Sequence, residues 1–500
     1  MKRKTFVFIS SFLLLNGCAV GPNYTRPTTP LPKPYTPKSL GSKTVATPSK
    51  FGQAQQFIAG KEIPAQWWAL FHSKPLNDLI TESLLHNPNI GMAQATLRAS
   101  LENVYAQKGA FYPFVGATFM PEKQQIAKIL TPILSSNQLN YSLYTGQLYV
   151  SYVPDVFGGT RRQLESLVAQ AAFQQFQLEA TYLTLTTNVV NAAIQEAALR
   201  GQILAVQQII ASQTQILTIF KQRLKMGDTA FTDIATQEAA LAASEALLPP
   251  LEKQLSLQRD LLNALTGRFP DDPRTPEFSL SSLHLPTDLP LSLPSTLLEH
   301  RPDIRAAEEQ MHAANALIGV ATANRLPNFA LGFTNAGTTA TTLSTLLQPN
   351  SLFWSVAGII AQPIFDGGTL KHKQRFAKAS YDEAAAQYRL TVINAFQNVA
   401  DTLKAIKLDA TALRAAKKVE LAASRNLRIS RHQFALGDSS SLSILLSEQI
   451  YQQARLNLIQ SEANRLSDTV ALFQALGGGW WNKACAPSVA DARNHKTHVK

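Results

Sequence analysis

Apolar residues recur at helical spacing, with small and amide side chains between them, through two stretches of about 67 residues each, Thr160 to Gly227 and Thr369 to Gly437. Val189, Val190, Ala193, Ile194 and Ala197 show the pattern in the first. Neither stretch contains a proline; the first has a single interior glycine, Gly201, and the second has none. At about 1.5 Å per residue, an unbroken helix of that length reaches about 100 Å. Helices of compact domains rarely pass ~20 residues, so the pattern predicts rods. Each ends in the same pair, Gly227-Asp228 and Gly437-Asp438.

Upstream of each rod the period changes from helical to alternating. Segments at 112–120 and 143–153 precede the first rod, and segments at 329–334 and 352–361 precede the second. Leu148, Val150 and Tyr152 share one face while Gln147 and Ser151 share the other; Phe329, Leu331 and Phe333 alternate with Ala330, Gly332 and Thr334. Alternation over about ten residues is the signature of a strand with one apolar face, as in a transmembrane barrel. A water-soluble hairpin would show it too. Trp354, Tyr144 and Tyr152 suit an interfacial girdle, and the stretch Thr338 to Ser344, rich in Ser and Thr, is expected to be an exposed loop.

The two halves of the chain repeat each other. His86, Pro88, Ile90, Ala93, Ala99, Pro113 and Phe119 recur 214 positions on as His300, Pro302, Ile304, Ala307, Ala313, Pro327 and Phe333. Pro154, Gly158, Gly159 and Thr160 recur 209 on, and Gly227, Asp228, Ile234, Glu238 and Leu248 recur 210 on as Gly437, Asp438, Ile444, Glu448 and Leu458. Such an ordered series marks a duplication. Each half reads helix, strand, loop, strand, very long helix, Gly-Asp turn, returning helix. The first return is broken at Pro249-Pro250; the second runs from about Leu442 to Leu476 and stops at Gly477-Gly478-Gly479.

The fold class is therefore mainly α with a small β part, built from a duplicated helix–strand–strand–long helix–helix repeat. The expected organisation is a signal peptide at 1–17, an extended segment at 18–66 acting as a tether, repeat 1 at 67–266, a proline-rich linker at 267–296, repeat 2 at 297–480 and a disordered tail at 481–500.

Four strands cannot close a barrel, and a sheet in a bilayer must be closed. Copies of the chain must then share one. Two copies would give eight strands and a filled interior, three would give twelve and a conducting one.

Composition narrows the class. With 45% hydrophobic residues, 16% charged and a mean hydropathy of −0.05, the chain is not a polytopic helical membrane protein. Of the net charge of +12, three positives are Lys2, Arg3 and Lys4, ahead of the apolar run Thr5 to Leu15. That run is too short to span a bilayer and reads as a secretory signal. Elsewhere cations and anions mix along helices, a solvated surface rather than a nucleic-acid groove. The nine histidines are scattered, no catalytic or phosphate-binding motif occurs, and no metal or soluble cofactor is expected. The chain is read as a non-enzyme.

Leu15-Asn16-Gly17-Cys18 resembles the bacterial lipobox, with Asn16 where Ala or Ser is commoner. The resemblance makes Cys18 the first mature residue, carrying covalent lipid; the other reading is a plain signal peptide with an incidental cysteine. Arg301-Pro302-Asp303-Ile304-Arg305-Ala306-Ala307-Glu308, continuing through Ala314-Asn315-Ala316 to Pro327, resembles the signature of the outer-membrane factor family, the TolC/OprM-like ducts, in its NodT-type lipoprotein branch. Gly21-Pro22-Asn23-Tyr24, Trp67-Trp68 with Phe71, and Ala475-Leu476-Gly477-Gly478-Gly479-Trp480 support it; Lys74 departs from the acidic residue usual before Pro75. The resemblance implies a homotrimer with a twelve-stranded transmembrane β-barrel in the outer-membrane lipid and a long periplasmic α-helical barrel. Its partners would be a periplasmic adaptor (membrane fusion protein) and an inner-membrane RND-type pump. Its function would be efflux of small toxic compounds. A type I protein-secretion duct and a non-conducting envelope-bridging scaffold are the competing readings.

The candidate site is then the hairpin tips. Gly227 and Gly437 permit the reversal. Asp228 and Asp438 either cap the returning helices or form an acidic ring at the aperture, with Asp233 a further candidate. Arg223, Arg428 and Arg431 are candidate gate cations that would pair across hairpins.

Overall fold

The computed structural model describes residues 19–27, 41–127, 129, 139–270, 272–291, 294–436 and 438–482; Cys18, Gly437 and the tail after Asn482 lie outside them. Two antiparallel helical hairpins dominate. In the first half, α1 (Lys74–His86) and α2 (Pro88–Lys108) lead into strands β2 (Phe114–Gln125) and β3 (Asn140–Tyr152), then α3 (Gly159–Lys225), α4 (Phe231–Glu245) and α5 (Leu248–Leu265). In the second half, α6 (Pro294–His300) and α7 (Pro302–Ala323) lead into β5 (Asn328–Ala340), β6 (Leu352–Ser355) and β7 (Gly358–Ala361), then α8 (Thr369–Leu436) and α9 (Ser441–Ala475). The rods α3 and α8 hold 67 and 68 residues, about 100 Å each.

Asp155 starts α3 by accepting from the backbone N–H groups of Thr160 and Arg161, both at 2.9 Å. Asp366 starts α8 in the same way, accepting from Gly368 and Leu370 at 2.8 Å. Satisfying first-turn donors with a carboxylate also complements the positive end of the helix dipole. The first return breaks at Ala246 and Leu247, because Pro249 and Pro250 lack the N–H groups the helix would need. Helix α9 ends in a Schellman turn: Gly477 N–H donates to Gln474 and Gly478 N–H to Phe473, with both glycines at positive φ.

The sheet is an antiparallel meander in the order β2, β3, β5, then β6 and β7, which both pair with β5. The outer edges of β2 and of β6–β7 have no partner among the described residues. The strands run further than the alternation predicts: β2 reaches Gln125 and β5 reaches Ala340, taking Thr338 to Ala340 out of the expected loop. Threonine there suits a strand and pairs across it, Thr145 with Thr339 at 3.0 Å. The last strand is interrupted at 356–357, where three residues of β5 (332–334) stand against two, a β-bulge that bends the sheet.

One expectation fails on packing. Residues 41–66 do not form a free tether. Strand β1 (Gln56–Ala59) pairs in parallel with β4 (Asp288–Leu291) from the proline-rich linker, and Phe51 and Ile63 are buried. Buried side chains hold this stretch on a fixed, non-helical path. Trp67 stacks on Phe473 of α9 at 5.4 Å, within a core shared by Phe71, Leu76, Val190, Ile194, Val399 and Leu466.

Candidate functional site at the helical hairpin tips

Rod α3 closes in a second Schellman turn. Gly227, at φ +78°, donates to Leu224, and Asp228 N–H donates to Arg223, both at 3.0 Å. Asp438 N–H donates in the same way to Gln433 at 2.9 Å. Gly227 with Asp228 in the first hairpin, and the Asp438 N–H in the second, therefore close the outgoing rods, and this corrects the reading of Asp228 and Asp438 as caps of the returning helices. Those cap positions fall two residues on, at Ala230 and at Ser440, whose hydroxyl accepts from Ser443. Reversal takes more chain than an αL glycine followed at once by a cap. Both aspartates are left exposed at the extremity.

Above the turns a small apolar cluster ties the hairpins together: Ile216, Leu217 and Phe220 of α3, Ile234 of α4 and Ile444 of α9, with Phe434 of α8 against them. Polar links surround it. Arg223 donates to the Phe434 carbonyl at 3.2 Å and lies 4.4 Å from the Phe434 ring centroid, a capped helix end and a cation–π contact in one residue. Asp233 accepts from the Ser441 hydroxyl at 2.6 Å. Arg431 pairs with Glu448 at 2.9 Å and also bonds Ser212 of α3. Lys221 pairs with Glu238 at 2.8 Å within the first hairpin.

Arg223, Asp233 and Arg431 thus each join the first hairpin to the second. Arg223 does so through a carbonyl and a ring, not the carboxylate expected. Arg428 is exposed and forms no ion pair among the described residues. Ser212, Phe434 and Glu448 complete the links. Of these, only Glu448 carried a signal, as the repeat of Glu238.

A second polar assembly lies below the sheet, where the chain emerges from residue 18. Residues 19–27 cross α3 and α7. Val20 N–H donates to Phe157 at 3.0 Å, and buried Arg162 donates to the Val20 carbonyl at 3.2 Å and to Asn23 at 2.7 Å. Tyr24 stacks on His312 with centroids 4.3 Å apart, and Arg26 pairs with Glu308 at 3.0 Å. His312 contacts Glu165 at 3.1 Å and Glu309 at 3.4 Å. Burial opposes its charge, but the hydrogen bonds to the two glutamates prevail and raise its pKa to about 9. The bond from His312, against burial and with Arg162 adding to it, lowers Glu165 to about 2.

A raised histidine contributes stability in full below its unfolded value of 6.5 and loses it as pH climbs through about 9. A lowered glutamate contributes above 4.5 and loses its share as pH falls toward 2. The strap is therefore expected to be held most firmly between pH 4.5 and 6.5. Chymotryptic cleavage after Tyr24, normalised to an unfolded reporter peptide in the same tube, should accelerate between pH 7 and 10. A His312→Phe variant should show no such rise, and the same flat profile in the natural sequence would refute the assignment.

Among the described residues no group of three or more His, Cys, Asp or Glu side chains could hold a metal ion. The family model for outer membrane efflux protein matches residues 79–268 and 293–478, one match per repeat. The chain is 26% identical over 473 residues to the probable efflux pump outer membrane protein TtgC of Pseudomonas putida, covering 94% of each. It is 25% identical to nodulation protein T of Rhizobium leguminosarum bv. viciae, covering 97% of this chain and 95% of that one. Its fold superposes on the outer-membrane channel OprN with a TM-score of 0.83 at 27% identity, covering 93% of this chain and all of that one. Duplicated rods, an open sheet whose fourth strand is interrupted into β6 and β7, and these likenesses together place the chain in the outer membrane efflux protein family, with the TolC-like fold of its outer-membrane channels.

Proposed function

We propose that the chain is the exit duct of a tripartite efflux pump, a homotrimer that passively conducts small toxic compounds from an inner-membrane RND-type transporter and its periplasmic adaptor to the exterior. The observation that carries this reading is the sheet: β2, β3, β5 and a fourth strand interrupted into β6 and β7, with no partner on either outer edge among the described residues, continuous with rods of about 100 Å. Unpaired backbone donors and acceptors cannot face hydrocarbon, so three copies complete twelve strands, and the rods extend the bore across the periplasm. Transport energy comes from the pump, and the duct has no reaction to catalyse. Cys18 carries the covalent lipid, and the strap at 19–27 ties that anchor to α3 and α7. Relatives named for efflux support small compounds over secreted proteins as cargo.

At the periplasmic tips, exposed Asp228 and Asp438 from three copies form the acidic ring of the aperture, the first reversal lying at Gly227. Arg223, Asp233 and Arg431 hold the two hairpins of each copy side by side and keep the ring narrow. Purified protein reconstituted in planar bilayers should show discrete conductance steps, and its native mass should be that of three chains. A monomer, or a trimer that never conducts, would overturn the duct.

A further inference from the structure

Within one chain, repeat 1 abuts repeat 2 along a seam in which β3 pairs with β5 and α3 lies against α7 and, further along, against α9. That junction buries α7 deeply: eleven of its 22 residues are inaccessible, among them Ile304, Met311, Ala316 and Gly319. Helix α2 stands at the equivalent place in repeat 1, 214 positions earlier, yet only Ile90 and Val104 of its 21 residues are buried. The rods show the same asymmetry. Twenty-five residues of α3 are buried, against thirteen of α8, its equivalent 209 positions on. Each repeat supplies the same two faces, and the chain uses only one of each.

The used junction has a peculiarity. The strap runs through it: Gly21 packs so closely on Gly319 that a Cβ on Gly21 would stand 2.5 Å from the Gly319 Cα. A Cβ on Gly319 would meet the Arg162 side chain at 2.7 Å and the Val20 carbonyl at 2.9 Å. Glycine at 319 is what admits the strap. Its equivalent on α2 is Tyr105, half exposed, and the equivalent of Arg162 on α8 is Lys371, also exposed. One strap per chain cannot serve two junctions.

We infer that α2 of one copy packs against α8 of the next copy as α7 packs against α3 within a chain, and that the Tyr105 ring occupies there the space that residues 20–24 occupy at the other junction. Lys371 of the neighbouring copy then lies beside Tyr105, as Arg162 lies beside Gly319. The occupant is a second copy of this chain because the duplicated sequence already shows what each of the two faces packs against. Strap-filled and tyrosine-filled junctions alternate around the assembly. The inference rests on the trimeric duct proposed above and adds the residues that join its copies.

The test uses the full chain with Cys485→Ser and a pair of cysteines, Tyr105→Cys with Lys371→Cys, treated with a short bifunctional thiol reagent. The expected result is covalent dimers and trimers on a denaturing gel from the double variant and none from either single variant. Tyr105→Cys alone, at an exposed position of the isolated chain, gives a second reading: it should lose maleimide labelling in the native assembly and regain it on denaturation. A conducting trimer whose double variant stays uncrosslinked and whose Tyr105→Cys labels fully would overturn this junction and leave the duct standing. A monomer without conductance would overturn both. In whole cells, a Tyr105→Cys variant that forms its adduct with another protein and not with a second copy would also overturn the junction.

Discussion

Replacing Arg431 with alanine is expected to shift the channel strongly toward its open state, seen as larger or longer conductance steps in a planar bilayer. The reason lies less in the arginine than in its partner. Glu448 has a side chain only 2% exposed, whereas Arg431 is 44% exposed. A surface ion pair is worth about 0–1 kcal/mol, but stranding a buried carboxylate costs several kcal/mol. Allowing for the solvent that reaches Arg431, a cost of about 2 kcal/mol against the closed tip is reasonable, roughly thirtyfold in a two-state ratio. Separating the hairpins is the direct way to rehydrate Glu448. Adding Glu448→Gln to Arg431→Ala should therefore restore much of the closed population, since the amide carries no charge to solvate. Arg223→Ala removes a hydrogen bond and a ring contact and should act in the same direction with smaller effect. Unchanged conductance in Arg223→Ala, Arg431→Ala and their combination would reject the gate.

The quasi-equivalent pair sharpens the comparison. Lys221 and Glu238 occupy in the first hairpin the places of Arg431 and Glu448 in the second, 210 positions apart. Their side chains are 53% and 49% exposed, so Lys221→Ala should leave conductance nearly untouched. Duplication supplied two equivalent latches, Lys221–Glu238 and Arg431–Glu448; burial of Glu448 makes the second matter.

The same pair shows how far the sequence could be read. The rods, the Gly-Asp turns and the duplication were legible because helical period and glycine placement are local properties. The recurrence of Glu238 as Glu448 was visible too, but not the partner of either, since Lys221 and Arg431 become partners only when two helices pack antiparallel. Asp228 and Asp438 illustrate the converse. A local rule, aspartate ahead of a helix, pointed to a cap, while the backbone spent two further residues on the reversal and gave the caps to Ala230 and Ser440. Strand β5 ran past its predicted end for a related reason: alternation fades where Thr338 and Thr339 put threonine on both faces, though the backbone ladder continues. Least legible was the fixed path of residues 41–66. Its small and polar residues, with only Pro48 and Pro64 among them, read locally as a linker, and the side chain that fixes it lies 414 positions beyond Phe51.

That side chain is Arg465, and its removal is the change expected to cost most in stability. It is 1% exposed. Its guanidinium donates to the carbonyls of Phe51 at 2.6 Å and Gln53 at 2.9 Å, to the Gln55 side chain at 3.0 Å and to the Thr44 hydroxyl at 3.2 Å. Burial presses its pKa down to about 10, eased by Asp409, which leaves it charged at neutral pH. Its two terminal nitrogens serve four acceptors while Nε is left without a partner, and of the four only the Gln53 carbonyl belongs to an exposed residue. Arg465→Met keeps the apolar stem and removes every donor, at a cost on the order of 3–5 kcal/mol. Arg465→Lys should rescue little, because one ammonium cannot reach acceptors arranged around a planar fork. Unfolding of such an assembly is governed by rate, so the measurement is inactivation half-life on heating, with tryptic cleavage within 41–66 as the local reading. Both variants should be cut there well before α3 and α8 unfold, because β1 is held otherwise by a four-residue parallel pairing with β4. Cleavage and half-life equal to those of the natural chain would mean that Phe51, Ile63 and Trp67 fix this segment by apolar packing alone, and that the buried guanidinium is dispensable.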